Sequence, residues 1–277
     1  ENRIRLTLAG RYTYVSQAAW GGAPDKAKKV TPRVGLSVSL DKNTAIYAVY
    51  DEAFTPQSGL LRNGGKVQPI TGTNNEIGIK KDWFDGKWNT TLSAYRILKQ
   101  NELTADPTNT PGTNFSVVLG EKKAQGIEFD LRGKITDGLT LIANYAYTDA
   151  KVTEVTPGVT GINVGDVIPG FAKHVSNAWL TYTLQEGSLK GSGISAGFTY
   201  LADRATDTWS VGLQKLPNYF KLDGGLFYER PKFKITGNAF NILNKYLFSG
   251  SYYEWLNAYY YQAEAPRNYR LSVAYKF

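Results

Sequence analysis

Ile127-Glu128-Phe129-Asp130-Leu131-Arg132-Gly133-Lys134-Ile135 is the stretch that decides the fold. Its odd positions are apolar or glycine, and its even positions are all charged. A period of two puts successive side chains on opposite faces of an extended strand. One face of this strand therefore suits an apolar medium while the other suits water. Working outward, the pattern repeats. Tyr269, Leu271, Val273, Tyr275 and Phe277 alternate with Arg270, Ser272, Ala274 and Lys276. Ile4, Leu6, Leu8, Tyr12 and Tyr14 alternate with Arg5, Thr7, Arg11 and Thr13, and Val34, Leu36, Val38 and Leu40 with Arg33, Ser37 and Ser39.

Twelve strands are predicted, over 3–16, 30–41, 45–55, 74–84, 88–104, 123–136, 139–153, 172–185, 192–205, 219–230, 233–246 and 268–277. Their connections alternate in length. Short turns fall at Asp41–Thr44, Asp85–Lys87, Asp137–Gly138, Glu186–Gly191 and Pro231–Lys232, and long loops at 17–29, 56–73, 105–122, 154–171, 206–218 and 247–267. Strands of ten residues or more, joined by short turns at one end and long loops at the other, are the plan of an antiparallel transmembrane β-barrel in a Gram-negative-type outer membrane. Short turns are periplasmic in that plan and long loops extracellular. Trp83, Phe84 and Trp88 flank a short turn, as a lower aromatic girdle would. Tyr12, Tyr14, Tyr145 and Tyr147 lie toward the long loops, as an upper girdle would.

Composition agrees. The 277 residues include 19 Tyr, 12 Phe, 6 Trp and 28 Gly, yet mean hydropathy is only −0.34. A wall with lipid on one side and water on the other averages to mild hydrophilicity. The net charge of +8 is scattered singly through alternating segments, which does not favour nucleic acid as a partner. Cysteine is absent, which excludes disulfides, thiolate zinc sites and thiol nucleophiles. No apolar run approaches the length of a membrane-spanning helix. Methionine is absent even at position 1 and Glu1 to Ala9 reads straight into a strand, so a processed or excised polypeptide is expected. The nucleotide-binding, zinc-protease and esterase motifs GxxxxGK[ST], HExxH and GxSxG are not found.

Several segments resemble the barrel of TonB-dependent siderophore receptors, the ferrichrome and ferric-hydroxamate type especially. They are Ala53-Phe54-Thr55-Pro56-Gln57-Ser58-Gly59, Glu76-Ile77-Gly78-Ile79-Lys80, the run from Tyr95 to Thr104, Gly126-Ile127-Glu128-Phe129-Asp130 with Asp137-Gly138-Leu139, Asn144-Tyr145-Ala146-Tyr147-Thr148-Asp149, Phe240 to Tyr246, and a last strand ending in Phe277. The resemblance implies one barrel domain over 1–277, the C-terminal portion of a plugged barrel of about 22 strands, with the plug outside this chain. It implies an outer-membrane receptor that imports iron–siderophore complexes, energised by a TonB-type protein that engages the plug, in contact with membrane lipid and lipopolysaccharide. Iron would arrive chelated, so neither a resident cofactor nor a protein metal site is called for, and no catalytic residue is expected.

Ligand recognition by such a receptor would draw on loop aromatics. The densest stretch runs from Tyr252 to Tyr261, where Tyr253, Trp255 and Tyr260 are the first candidates; Gln57, Trp209 and Trp20 follow. Each of these aromatics has a plainer reading as loop packing or interfacial girdle. The inward charged row Glu128, Asp130, Arg132 and Lys134 would face a plug or simply a solvated lumen. His174 and Ser176 share a face at i and i+2, which raises a self-contained twelve-stranded barrel acting as a pore or phospholipase-like enzyme. A β-sandwich or lectin-like binder is the third reading, one that apolar bands on the outside of the strands would oppose.

Overall fold

The computed structural model describes residues 3–17, 25–106, 108–206, 214–254 and 258–277. Among them all regular structure is β: β1 (Ile4–Gln17), β2 (Asp25–Ser39), β3 (Thr44–Thr55), β4 (Ile70–Trp83), β5 (Trp88–Gln100), β6 (Leu103–Ala105), β7 (Ser116–Val118), β8 (Gly120–Lys134) and β9 (Leu139–Val155), then β10 (Ala172–Thr183), β11 (Ser192–Ala205), β12 (Lys215–Leu216), β13 (Tyr219–Glu229), β14 (Phe233–Phe240), β15 (Phe248–Glu254), β16 (Ala258–Ala263) and β17 (Asn268–Tyr275). The main sheet has the order β1-β2-β3-β4-β5-β8-β9-β10-β11-β13-β14-β17, with β12 beside β11. These long strands are the twelve expected, paired with their neighbours in sequence. The described chain falls into two compact units, Glu1–Ile79 with Ser93–Ile127 and Asp149–Ile168, and Lys80–Leu92 with Glu128–Thr148 and Pro169–Phe277.

In the first unit the register aligns the apolar positions predicted from alternation. Ile4 stands opposite Val38 and Val38 opposite Ile46; Leu6, Leu36 and Ala48 form the next row, and Leu8, Val34 and Tyr50 the next. A slip of one residue would move every one of these onto the polar face. The polar face holds Tyr47, whose hydroxyl donates to Glu76 at 2.6 Å. In the second unit the same rule aligns Leu141, Leu180 and Ala196, and then Ile194, Leu226, Gly237 and Leu271. The opposite face carries Asn144 and Asn177, joined amide to amide at 2.9 Å.

Among the described residues, none covers the apolar face. Leu6 is 61% exposed, Leu8 68% and Leu271 74%, far beyond what a water-facing sheet tolerates as a continuous band. Lipid is the medium that such a face requires, which removes the β-sandwich reading. Buried apolar side chains among the described residues lie instead toward the long-loop ends: Leu119, Ala150 and Val152 in the first unit, Leu216, Tyr219 and Leu247 in the second.

Each of the five short connections is closed by a backbone hydrogen bond. Leu40 N–H donates to the Thr44 carbonyl, Lys87 N–H to Phe84, Ile135 N–H to Leu139, Gly191 N–H to Leu184 and Arg230 N–H to Phe233. Phe84, Asp85 and Gly86 have φ of 53°, 57° and 81°, the left-handed geometry that matches a hairpin to strand twist. Gly133 is required by its neighbour, because a Cβ there would overlap the indole of Trp88.

The departures from expectation lie at the loop ends. β2 begins at Asp25 rather than 30, because residues 25–29 pair with Thr13 to Gln17. β14 stops at Phe240, well short of 246, where Asn241 turns left-handed with φ 50°. The segment 247–267, read as a loop, contains the β15–β16 hairpin, while the strand read over 88–104 ends as β5 at Gln100 and its last residues, as β6, pair with β7 from the segment read as the loop 105–122.

Candidate ligand-binding site

The aromatic stretch predicted as the site folds as the β15–β16 hairpin. Its aromatic and small residues suit a pleated two-stranded ribbon. Tyr252 pairs with Tyr260, and Tyr253 with Tyr259. The Tyr252 and Tyr260 rings stack with centroids 5.4 Å apart and planes 14° apart. On the other face Tyr259 and Tyr261 lie 6.5 Å apart, and Tyr261 meets Phe248 at 5.4 Å. Tyr252 and Tyr261 are each 45% exposed. Such a ribbon offers flat apolar faces edged by phenol hydroxyls, suited to a bulky amphipathic ligand and short of ligands for a bare metal ion.

The base of the hairpin is pinned by side chains that alternation does not reveal. Asn241, 1% exposed, donates from Nδ2 to the carbonyls of Lys245 at 2.9 Å and Ala265 at 3.2 Å. Its own N–H is taken by Asp223 at 2.7 Å, and its Oδ1 accepts from Lys245 N–H at 3.0 Å. Arg204, 6% exposed, donates to the carbonyls of Phe248 at 2.9 Å and Ser249 at 2.6 Å. Tyr261 Oη donates to Gln214 Oε1 at 3.1 Å.

In the first unit Gln57 is a loop clasp. Its Nε2 donates to the carbonyls of Gln68, at 2.7 Å, and Asn101, and its Oε1 accepts from Leu103 N–H at 3.2 Å. The amide is thus spent on the backbone of two loops. Nearby, Arg62 donates to Asp106 at 2.8 Å and lies 4.6 Å over the Phe115 ring, which ties the β6–β7 hairpin to the segment beside Leu61. Hydrogen bonds from Thr108, then from Arg62, hold the Asp106 carboxyl down at about 2. Burial acts to raise Glu102, but the hydrogen bonds from Lys122 and Lys99 outweigh it and keep that carboxyl below its ordinary value.

His174 does not form a catalytic pair with Ser176. Its Nδ1 lies 2.8 Å from the Tyr145 hydroxyl, and its ring packs on Tyr147 at 5.2 Å. The Ser176 hydroxyl donates to the Asn144 carbonyl at 3.3 Å. With the imidazole held by a phenol and the hydroxyl by a carbonyl, the nucleophile–base contact that such chemistry needs is missing.

Residues 1–242 match the family model described as TonB dependent receptor-like, beta-barrel. The chain belongs to that family. The TonB-dependent receptor barrel is an outer-membrane structure, which places this chain in the bacterial outer membrane. Among curated relatives, the metal-pseudopaline receptor CntO of Pseudomonas aeruginosa is 33% identical over 196 residues, covering 71% of this chain and 27% of that protein. The ferrichrome outer membrane transporter/phage receptor of Escherichia coli is 30% identical over 204 residues, covering 72% and 26%. Ferrichrome is thus one of several ligand types named among the relatives, which are receptors and transporters rather than enzymes. The solved siderophore receptor PiuA of Acinetobacter baumannii aligns over 100% of this chain and 41% of its own, with a TM-score of 0.77 at 22% identity. The receptor in the FpvAI–pyocin S2 complex gives 0.79 at 20%, over 100% and 36%. The chain spans about a quarter of the length of those two curated relatives.

Of the six predicted site residues, the structure places three. Tyr260 lies in the stacked pair, the backbone of Tyr253 pairs with Tyr259, and Gln57 clasps two loops; Trp255, Trp209 and Trp20 lie outside the described residues. Sequence reading missed Tyr252, Asn241 and Arg204. Period-two pairing across the hairpin would have found Tyr252 opposite Tyr260, but nothing local marks the other two.

Proposed function

We propose that this chain forms the C-terminal barrel wall and loops of an outer-membrane receptor that imports iron–siderophore complexes, ferric hydroxamates first among them. In this reading it completes a plugged barrel of about 22 strands, and a TonB-type protein acting on the plug drives uptake. The observation that carries the reading is the Tyr252–Tyr260 stack on an anchored hairpin, 5.4 Å between centroids. The hairpin presents the ring edges and faces that a bulky chelate needs, while the iron keeps the siderophore's own ligands. The named ligands of the relatives support the same class. Tyr260 and Tyr253 are the ligand contacts assigned first in this reading, with Gln57, Trp255, Trp209 and Trp20 as further assignments. The outer apolar face and the exposed lysines beyond it, Lys26 and Lys28, meet lipid and lipopolysaccharide.

The test uses the intact protein extracted from outer membranes in detergent. Its mass is measured, and iron-loaded ferrioxamine B and ferrichrome are titrated by quenching of intrinsic fluorescence. A mass well above 30.7 kDa with saturable binding is expected, and Tyr260→Ala should weaken binding about tenfold. Binding by neither chelate, or equal binding by Tyr260→Ala, would count against the reading.

A further inference from the structure

Arg204 is a cation sealed at the loop end of β11. The residue before it, Asp203, has φ 51° and turns its carboxylate toward Lys173, 3.6 Å away. The alternation of β11 is therefore interrupted just before Arg204. Among the described residues the guanidinium is met by main-chain carbonyls: Pro217 at 3.4 Å and Phe248 at 2.9 Å on Nη1, and Ser249 at 2.6 Å on Nη2. Its carbon lies 5.7 Å over the Tyr219 ring. The two hairpin carbonyls are available for a specific reason. The β15–β16 register shifts between Phe248 and Gly250, so Ser249 is the extra residue of a β-bulge; its hydroxyl donates to the Gln262 carbonyl at 3.1 Å, but it occupies no place in the register. Bulges re-aim backbone groups that a regular ladder would consume. Here the bulge aims two successive carbonyls at one guanidinium fork. A fork spans two acceptors at once, which a single ammonium cannot imitate.

We propose that Arg204 is the positioning residue of the ligand site, locking the β15–β16 hairpin in the docked position through the bulge carbonyls of Phe248 and Ser249. The proposal rests on the ligand reading above. Arg204 touches no ligand in this scheme. It fixes where the Tyr252–Tyr260 stack stands. Lifting the hairpin means separating a buried cation from two charge-assisted hydrogen bonds, each among the stronger contacts a fold contains.

The experiment follows hydrogen–deuterium exchange of peptides covering 248–263 in the intact detergent-solubilised protein, alongside binding of iron-loaded ferrioxamine B. Heat-modifiable mobility confirms that each variant is folded, and Arg204→Gln serves if Arg204→Ala does not fold. Arg204→Ala should exchange about tenfold faster or more in 248–263, leave the β14 peptides unchanged, and bind the chelate at least about tenfold more weakly. Arg204→Lys should restore neither property. Millimolar guanidinium, but not ammonium, should restore both in Arg204→Ala, a rescue that a general packing defect would not show. Unchanged exchange in 248–263 overturns the lock, as does full rescue by Arg204→Lys. Faster exchange with undiminished binding keeps the lock and overturns the ligand reading, which undiminished binding by Tyr260→Ala would overturn independently.

Discussion

Leu180 and Thr181 are neighbours in β10 that face opposite media, so one substitution placed at each tests the sidedness of the wall. Leu180 pairs with Leu141 and Ala196, whereas Thr181 pairs with Thr140 and Ser195. Leu180 stands three residues inside the Thr183 end of its strand. At about 3.3 Å per residue and a tilt near 40°, that is roughly 8 Å into an apolar band about 25 Å tall. Arginine on the lipid face costs about 2–4 kcal/mol at the midplane and falls toward zero at the interfaces. Leu180→Arg is therefore expected to destabilise the folded barrel by about 2–3 kcal/mol, or roughly 30- to 150-fold in the folding equilibrium. Thr181→Arg enters a polar face whose neighbours carry no charge and should cost under about 1 kcal/mol. Urea titration of the intact protein in lipid vesicles, followed by heat-modifiable electrophoretic mobility, reads both. Equal losses, or a larger loss at Thr181, would refute the assignment of the apolar face to lipid.

Two further outcomes follow from the loop geometry. The Asp106 carboxyl sits at about 2, below its ordinary 3.8; a depressed value means that its contribution is complete above about pH 4 and lost as pH falls through about 2, so pepsin cleavage within 103–118 should rise over that window. Asp106→Asn should flatten this dependence, and identical acid profiles for the two proteins would sink the argument. Gln57→Ala strands the carbonyls of Gln68 and Asn101 and the Leu103 N–H, at a cost of about 1–3 kcal/mol, and should make 56–69 protease-sensitive by about tenfold or more. Loss of chelate binding with the loop still protected would instead make Gln57 a ligand-contacting residue.

The strands were legible because alternation is a local property. Ile127 to Ile135 shows its two faces without reference to any other segment, and hydrophobic alternation then set the register of Leu6 on Leu36. The short turns were legible for the same reason, each needing only a few polar or glycine residues between two strands. The β6–β7 and β15–β16 hairpins were not, because their aromatic and polar residues serve a loop as readily as a strand until a second strand lies alongside. The candidate site was half legible: aromatic density marked the segment that holds Tyr260, but composition could not say that Tyr252 would be its partner.

By itself, then, the sequence determined an antiparallel wall with an apolar and a polar face, its turns and loops at opposite ends, and the aromatic segment that stands among the loops. Only the tertiary structure decided that Asn241 and Arg204 hold that segment, that Gln57 clasps two loops, and that His174 answers to Tyr145 rather than to Ser176. The physical reason is the range of the interactions. Alternation is read between adjacent residues, whereas Arg204 meets Ser249 across 45 positions and Gln57 meets Leu103 across 46. Whether two such polar groups come within about 3 Å of each other depends on bulges, left-handed residues and burial that no local pattern encodes.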